Sequence, residues 1–394
     1  MTNAEIIAQA TAHEVDLYAR QPIALVRGRG AEVWDADGRR YLDFFGGIAV
    51  TNLGHCHPAV VEAIRRQVGE LVHTSNHYYN APAAALVELL CRHSFADRTF
   101  LCNSGAEANE AAMKLARRWG AERGGGRYEI LATTGSFHGR TFATLTATGQ
   151  EKYHQGFLPL LPGIRLVPYD DVAAMEAAVA PETVAIMVEP IQGEGGIHVP
   201  SRDYLPGLRA LADRRNLLLI LDEIQTGMGR TGTLFAYEQV DIVPDIMTVA
   251  KALGGGLPIG ATCLTTRVAA VCTPGIHGTT FGGNPVACAA AVAALTELVR
   301  PALLAHVREM GTYLRDRLAA LARRHPAIQQ VRGPGLMVGA LLDRSGVDTV
   351  GRCRERGLLI NSTADRVLRF LPPLVVTRHE LDEGLAIFDE ALAA

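Results

Sequence analysis

An α/β protein is predicted, with one large, mainly parallel sheet and a smaller α+β part built from both chain ends. Three observations carry this. Short apolar runs alternate with helical stretches between residues 55 and 285, and such runs fit strands covered on both faces and joined by helical crossovers. Polar clusters follow those runs, at what would be one edge of the sheet. Outside this region the pattern changes to alternation before it, and to a long amphipathic stretch with short strands after it.

In chain order, a short helix is expected over about 3–18. Ala31 to Gly38 and Tyr41 to Phe44 alternate around Asp37-Gly38, which reads as a β-hairpin. Strands of the large sheet are expected at 99–102, 129–132, 164–167, 184–188, 217–221 and 246–250. A helix follows over 295–324, then strands at 336–342, 358–361 and 367–370, and a last helix over 378–392. The expected division is 1–54 joining the small domain, 55–285 forming the large one, and 286–394 completing the small one.

The 394 residues suffice for two or three domains. With 48% hydrophobic and 20% charged residues the composition is globular, and a net charge of −3 makes no electrostatic case for nucleic acid or an anionic membrane. No apolar run reaches the length of a membrane span, and the first residues lack the pattern of a secretion signal. Seven scattered cysteines without a Cys-x-x-Cys pair suit free thiols in the cytoplasm.

Lysine usage singles out one position. The chain has 35 arginines but only Lys114, Lys152 and Lys251. Lys114 reads as helix surface, one turn after Glu110, and Lys152 as solvated loop. Lys251 ends an apolar run and precedes Gly254-Gly255-Gly256, expected to be a flexible turn that frees space around it. Unlike Arg, a Lys amine can lose its proton and form a Schiff base with a carbonyl. Asp222 similarly ends the apolar run 217–221, where a carboxylate needs a positive partner or donors. A helix cap or structural ion pair is the plain reading. Beside a Schiff-base lysine, the sharper one is the acid that keeps a pyridinium nitrogen protonated, the pair that pyridoxal phosphate chemistry requires. Asn103-Ser104-Gly105-Ala106 opens a helical run, and small residues at a helix start let phosphate approach free N–H groups. No dinucleotide or Walker fingerprint is present. His55-Cys56-His57 lacks a second cluster for a metal site, so no metal is expected. Cys102, at the end of an apolar strand, reads as inert core.

Together, Asn103 to Glu110, Ser136-Phe137-His138-Gly139-Arg140-Thr141, Glu189 to Gly196, Asp222-Glu223-Ile224-Gln225-Thr226-Gly227, Lys251 with its glycines, and His277 to Pro285 resemble the class III aminotransferases, most of all their acetylornithine branch. The likeness runs from Gly54 to Leu374. It implies the pyridoxal-phosphate-dependent transferase fold and pyridoxal 5'-phosphate as cofactor. By resemblance, Lys251 takes the cofactor aldehyde and later carries the proton, Asp222 meets the pyridine nitrogen, and Gln225 the ring hydroxyl. Phe137 stacks on the ring, and Gly105 and Ala106 bind phosphate through their amides. Ala106 stands where relatives often have Thr, so a side-chain contact is missing there. Thr280 is expected at the phosphate of a neighbouring subunit's cofactor, which implies a homodimer with shared sites, and Thr279 beside it is expected near substrate.

The same resemblance implies transfer of the δ-amino group of N2-acetyl-L-ornithine to 2-oxoglutarate. The products would be N-acetyl-L-glutamate 5-semialdehyde and L-glutamate, in arginine biosynthesis. Arg140 would grip the distal carboxylate by its fork, and Arg369 the α-carboxylate of glutamate, pairing with Glu194 when that group is absent. Ile48 stands where ornithine enzymes carry Tyr, and an aliphatic residue there suits an acylated nitrogen. Other ω-amines (ornithine, succinylornithine, 4-aminobutyrate) are alternatives, as is a non-catalytic binding protein on the same fold. Glu194 with Arg369 argues against a racemase or decarboxylase.

Overall fold

In the computed structural model, which describes residues 1–393, seven strands form the central sheet. Their spatial order is Arg98–Cys102, Gly260–Leu264, Ile246–Val249, Leu218–Asp222, Thr183–Val188, Glu129–Thr133, Ile164–Val167. The last five run parallel. Gly260–Leu264 is antiparallel to both neighbours, so the sheet is mixed. The six expected strands are present within a residue or two of their expected bounds. Gly260–Leu264 was not expected, because Pro258 and three glycines before it read as turn, and glycine and threonine interrupt its apolar run. All five of its residues are nonetheless buried.

Period-two alternation sends side chains to two separate cores. Ile186, Val188, Leu219 and Leu221 pack into one layer, and Ala185, Met187, Leu218 and Ile220 into the other. The helix Gly105–Glu122 covers the second layer with Ala112, Met113, Leu115, Ala116 and Trp119. Its Lys114 meets His277 Nδ1 at 2.8 Å. Glu110, expected to be its partner, instead accepts from Thr141 Oγ1 and the Ala143 amide.

The hairpin Glu32–Asp35/Arg40–Asp43 is present, and Leu358–Leu359 adds a parallel strand beside Arg40–Asp43. Both chain ends therefore share one sheet. Asn361–Thr363 belongs to a different sheet with Val367–Phe370, so the single strand expected over 358–361 is divided between two sheets. The helix expected over 295–324 is likewise two, Pro285–Leu298 and Pro301–Arg324, bent by 69°. Pro301 has no N–H to continue the first and suits the start of the second. The first helix is Asn3–His13, closed at its start by a Thr2/Glu5 capping box. It stops short of residue 18 where Val15, Leu17 and Tyr18 are exposed and no packing supports further turns. The final helix, Arg378–Ala393, matches expectation; residue 394 of the expected 286–394 unit lies outside the described residues. Among the described residues no single helix is long and apolar enough to cross a membrane.

One buried arginine knots distant segments together. Arg230 Nη1 donates to Leu336 O (2.9 Å) and Pro372 O (2.6 Å), and Nη2 to Asn52 Oδ1. Asn52 Nδ2 in turn donates to Met228 O (2.8 Å). All of Arg230's partners are neutral, and its Nε has none.

Candidate active site

Parallel strands leave their ligand crevice beyond their carboxyl ends, and a cavity of about 500 Å³ opens there. Lys251, Asp222, Gly105, Ala106, Phe137, Gln225, Arg140 and Glu194 all line it. Lys251 follows the strand Ile246–Val249 with φ 43°, a left-handed conformation that a lysine seldom adopts. Burial lowers its amine below the ordinary lysine value, and the Arg369 charge adds to this, while Glu194 and Asp222 oppose it. Of the glycines after it, Gly256 is open and lines the cavity, as expected of a turn that frees space, whereas the other two are closely packed. Gly255 has φ 57° and faces Val60, and a Cβ on Gly254 would meet Ile259 Cγ2 at 2.8 Å.

Asp222 closes the next strand and is 4% exposed. Its Oδ2 accepts from Asn109 Nδ2 (2.8 Å) and His138 Nδ1 (2.7 Å), and its Oδ1 from the Ile224 amide (3.1 Å). Asn109 is itself fixed, since its Oδ1 accepts from Thr248 Oγ1 at 2.7 Å. Burial disfavours a charged His138 ring, but the Asp222 hydrogen bond and charge outweigh it and raise the pKa. Glu189 lies behind them. Burial, reinforced by Asp222, pushes its carboxyl up to about 7 against the opposing His138 charge and the amides of Gly193 and Phe137.

The opposite wall is a helix start. Ser104 caps Gly105–Glu122 by accepting from the Glu107 amide (3.1 Å), which leaves the Gly105 and Ala106 amides of the first turn without an acceptor among the described residues. A Cβ on Gly105 would meet Ile224 Cδ1 at 2.7 Å. Gly260 must also lack a side chain, because its Cβ would sit 2.4 Å from Ser104 O.

Arg140 lines the cavity, and a second arginine, Arg369, is held behind the lining residues Glu194 and Gln225. Arg369 is fully buried, and its Nη1 donates to Glu194 Oε1 (2.5 Å) and Gln225 Oε1 (3.0 Å), while Nε donates to Asn361 Oδ1 (3.1 Å). Gln225 Nε2 also reaches Glu194 Oε1 at 3.2 Å. Burial alone would raise the Glu194 pKa, but Arg369, Lys251 and these hydrogen bonds bring it down to about 2. Arg140 is exposed and lies 3.9 Å over the Tyr153 ring and 5.5 Å from that of Phe137. The cavity thus presents an amine, a fixed carboxylate, free amides for an anion and one open guanidinium, with a second guanidinium gated behind Glu194.

The family model for aminotransferase class-III matches residues 16–392. This chain is a class-III aminotransferase. An acetylornithine aminotransferase of Caldanaerobacter subterraneus subsp. tengcongensis is 52% identical over 381 residues, covering 96% of this chain and 97% of the relative. One from Methanocaldococcus jannaschii is 50% identical, covering 96% and 95%. Among solved structures, the ornithine aminotransferase of Toxoplasma gondii superposes with a TM-score of 0.96 at 36% identity, covering 100% and 95%. An N-acetylornithine aminotransferase of Stenotrophomonas maltophilia gives 0.85 at 40%, covering 98% of each chain.

In this aminotransferase four expected residues stand apart from the cavity wall: Ile48, Thr279, Thr280 and Arg369, the last held behind the lining residues Glu194 and Gln225. Val50 lines it, whereas Ile48 does not; Ile48 sits in a left-handed turn, Gly46–Ala49, with φ 64°. Thr279 Oγ1 is held by Asn103 Nδ2 at 3.0 Å, and Thr280 is exposed on the surface. Sequence reasoning assigned no role to His138, Asn109, Glu189 or Val50. A usable signal for Asn109 was a single amide on the alanine-rich buried face of its helix. Cys102 is buried, and burial pushes its thiol up to about 12, which disfavours the thiolate a nucleophile needs. His55 Nε2 meets Asp43 Oδ2 at 2.7 Å.

Proposed function

We propose that this aminotransferase moves the δ-amino group of N2-acetyl-L-ornithine to 2-oxoglutarate, giving N-acetyl-L-glutamate 5-semialdehyde and L-glutamate in arginine biosynthesis. The observation that carries the reading is Arg369 neutralised by Glu194 beside Lys251, with Arg140 open across the cavity. Two substrates that share one carboxylate position but differ at a second need such a gate. The curated relatives at about half identity carry the acetylornithine name, and aliphatic Val50 offers no polar partner for a free α-ammonium group. The likeness to an ornithine aminotransferase structure supports ornithine as the second reading.

Pyridoxal 5'-phosphate fits the residues present, because the acceptor-free amides of Gly105 and Ala106, the fixed Asp222 and the Lys251 amine line one cavity. When bound, it supplies an aldehyde carbon for an amine and a ring that draws electrons from the carbon losing its proton. The helix-start amides would hold its phosphate, Asp222 its ring nitrogen, Gln225 its ring hydroxyl, and Phe137 one ring face. Lys251 Nζ, favoured as the neutral amine by burial, would take the proton from the substrate's δ-carbon and deliver it to what had been the cofactor's aldehyde carbon. Arg140 orients the distal carboxylate. With glutamate, the α-carboxylate displaces Glu194 from Arg369.

We further read the functional unit as a homodimer, in which exposed Thr280 and Phe281 face a neighbouring subunit's cofactor, and we place it in the cytoplasm, consistent with seven free thiols. Residues 1–54 and 286–394 read as one small domain beside 55–285, supported by the strand Leu358–Leu359 pairing with Arg40–Asp43. The deciding experiment adds N-acetylornithine, ornithine, 4-aminobutyrate or glutamate singly to the cofactor-loaded protein and follows its visible absorbance. Fast bleaching by N-acetylornithine and glutamate alone supports the assignment. Faster bleaching by ornithine or 4-aminobutyrate transfers it to that amine, and a protein that takes up no cofactor refutes catalysis.

A further inference from the structure

Outside the catalytic cavity, an open cleft of about 680 Å³ lies between the loop 231–233, the helix Pro301–Arg324 and the turn 333–335. Arg308, Arg315 and Arg332 line it, and no carboxylate does. Arg308 and Arg315 are seven residues apart on the helix with Thr312 between them, so the three share one face. None of the three arginines has an ion-pair partner among the described residues.

Their hydrogen bonds go to neutral oxygens instead. Arg308 Nη1 donates to Gly232 O (2.6 Å), and Arg315 to Gly333 O and Thr312 Oγ1 (3.2 Å each). Arg332 donates twice to Gly196 O (2.6 and 3.1 Å) and once to Gln330 Oε1 (3.3 Å). These contacts fix the guanidinium groups in place without cancelling their charge. Gly232 is shaped for this arrangement, since a Cβ there would meet Arg308 Cγ at 2.7 Å. Burial pushes the Arg332 pKa down, as expected of a cation with no counter-charge. Three like charges around one cleft, in a chain of net charge −3, repel one another until an anion enters, and guanidinium forks suit planar or tetrahedral oxyanions.

We propose that this cleft binds a small oxyanion of two or more negative charges, a phosphate compound or a polycarboxylate, held by Arg308, Arg315 and Arg332. The site is separate from the cavity of Lys251 and does not depend on which amine the enzyme uses. The test titrates the cofactor-loaded enzyme with inorganic pyrophosphate and, separately, with citrate at low ionic strength, by calorimetry. A tungstate-soaked crystal locates the anion by its anomalous signal. Saturable binding is expected, with tungstate between the three arginines, and the tighter of the two probes identifies the source. The double variant Arg308→Gln/Arg315→Gln should weaken binding about tenfold or more, because two charge-assisted contacts are lost. Thr312→Glu, which keeps all three arginines but adds a negative charge, should weaken it likewise, while cofactor absorbance stays that of wild type. Absence of saturable binding by both probes, or binding that neither variant weakens, overturns the proposal.

Discussion

Lys251 combines a backbone conformation unusual for lysine with a desolvated amine, and both suit a group that must be neutral and aimed into the cavity. Lys251→Ala should therefore remove steady-state transamination in a coupled glutamate assay while leaving the melting midpoint near wild type. Measurable turnover by that variant would assign the chemistry to another amine. Arg140 lines the cavity with its guanidinium 3.9 Å from the Tyr153 ring and 5.5 Å from that of Phe137. Arg140→Lys loses one forked contact, at a cost of about 2 kcal/mol, so the apparent affinity for both acetylornithine and 2-oxoglutarate should fall roughly tenfold or more. Unchanged Michaelis constants for both substrates would contradict that role. Lys251 and Asp222 were legible because rarity and position single them out at strand ends. His138 and Asn109 were not, since their part lies in contacts with Asp222 made across separate elements of the chain.

At the scale of elements, the antiparallel strand Gly260–Leu264 packs against the start of the helix Gly105–Glu122. Gly260 lies against Ser104, the residue that caps the helix whose first amides face the cavity. Gly260→Ala should displace that cap, costing about 1–3 kcal/mol from overpacking. Cofactor affinity, read as the dissociation constant of the reconstituted apoprotein, should weaken, and the melting midpoint should fall. An unaltered dissociation constant would show that the helix start tolerates the shift. This strand also shows where pattern reading stops. Continuous apolar runs such as 184–188 or 217–221 reveal buried strands without further help. Gly260-Ala261-Thr262-Cys263-Leu264 is mostly small or polar, and it is a strand because two neighbours pair with it. The helix break at Pro301 had a visible signal, whereas the division of 358–361 between two sheets depends on partners distant in the chain.

For the whole molecule, buried ionisable groups set how stability responds to pH. Burial pushes Glu223 up to about 7 against the hydrogen bonds from Thr226 and Tyr237. The folded chain therefore keeps a proton that the unfolded chain releases near 4.5, so this group's contribution is lost as pH rises between those values. Relative to Glu223→Gln, wild type should lose up to about 3 kcal/mol across that window, measured by urea unfolding at several pH values. A pH-independent difference would show that Glu223 stays ionised. Arg230 acts on stability in another way. Arg230→Lys keeps the charge but cannot reach Leu336 O, Pro372 O and Asn52 together, so unfolding free energy should fall by about 2–4 kcal/mol. An unshifted denaturation midpoint would show that the knot carries no stability. The knot also imposes an order on biosynthesis. A ribosome completes all seven strands of the central sheet before it reaches Arg369 and Pro372, so the nascent chain holds a sheet and a lysine long before it holds a closed substrate site. Arg230 can meet Leu336 O and Pro372 O only after segments made more than a hundred residues later have docked.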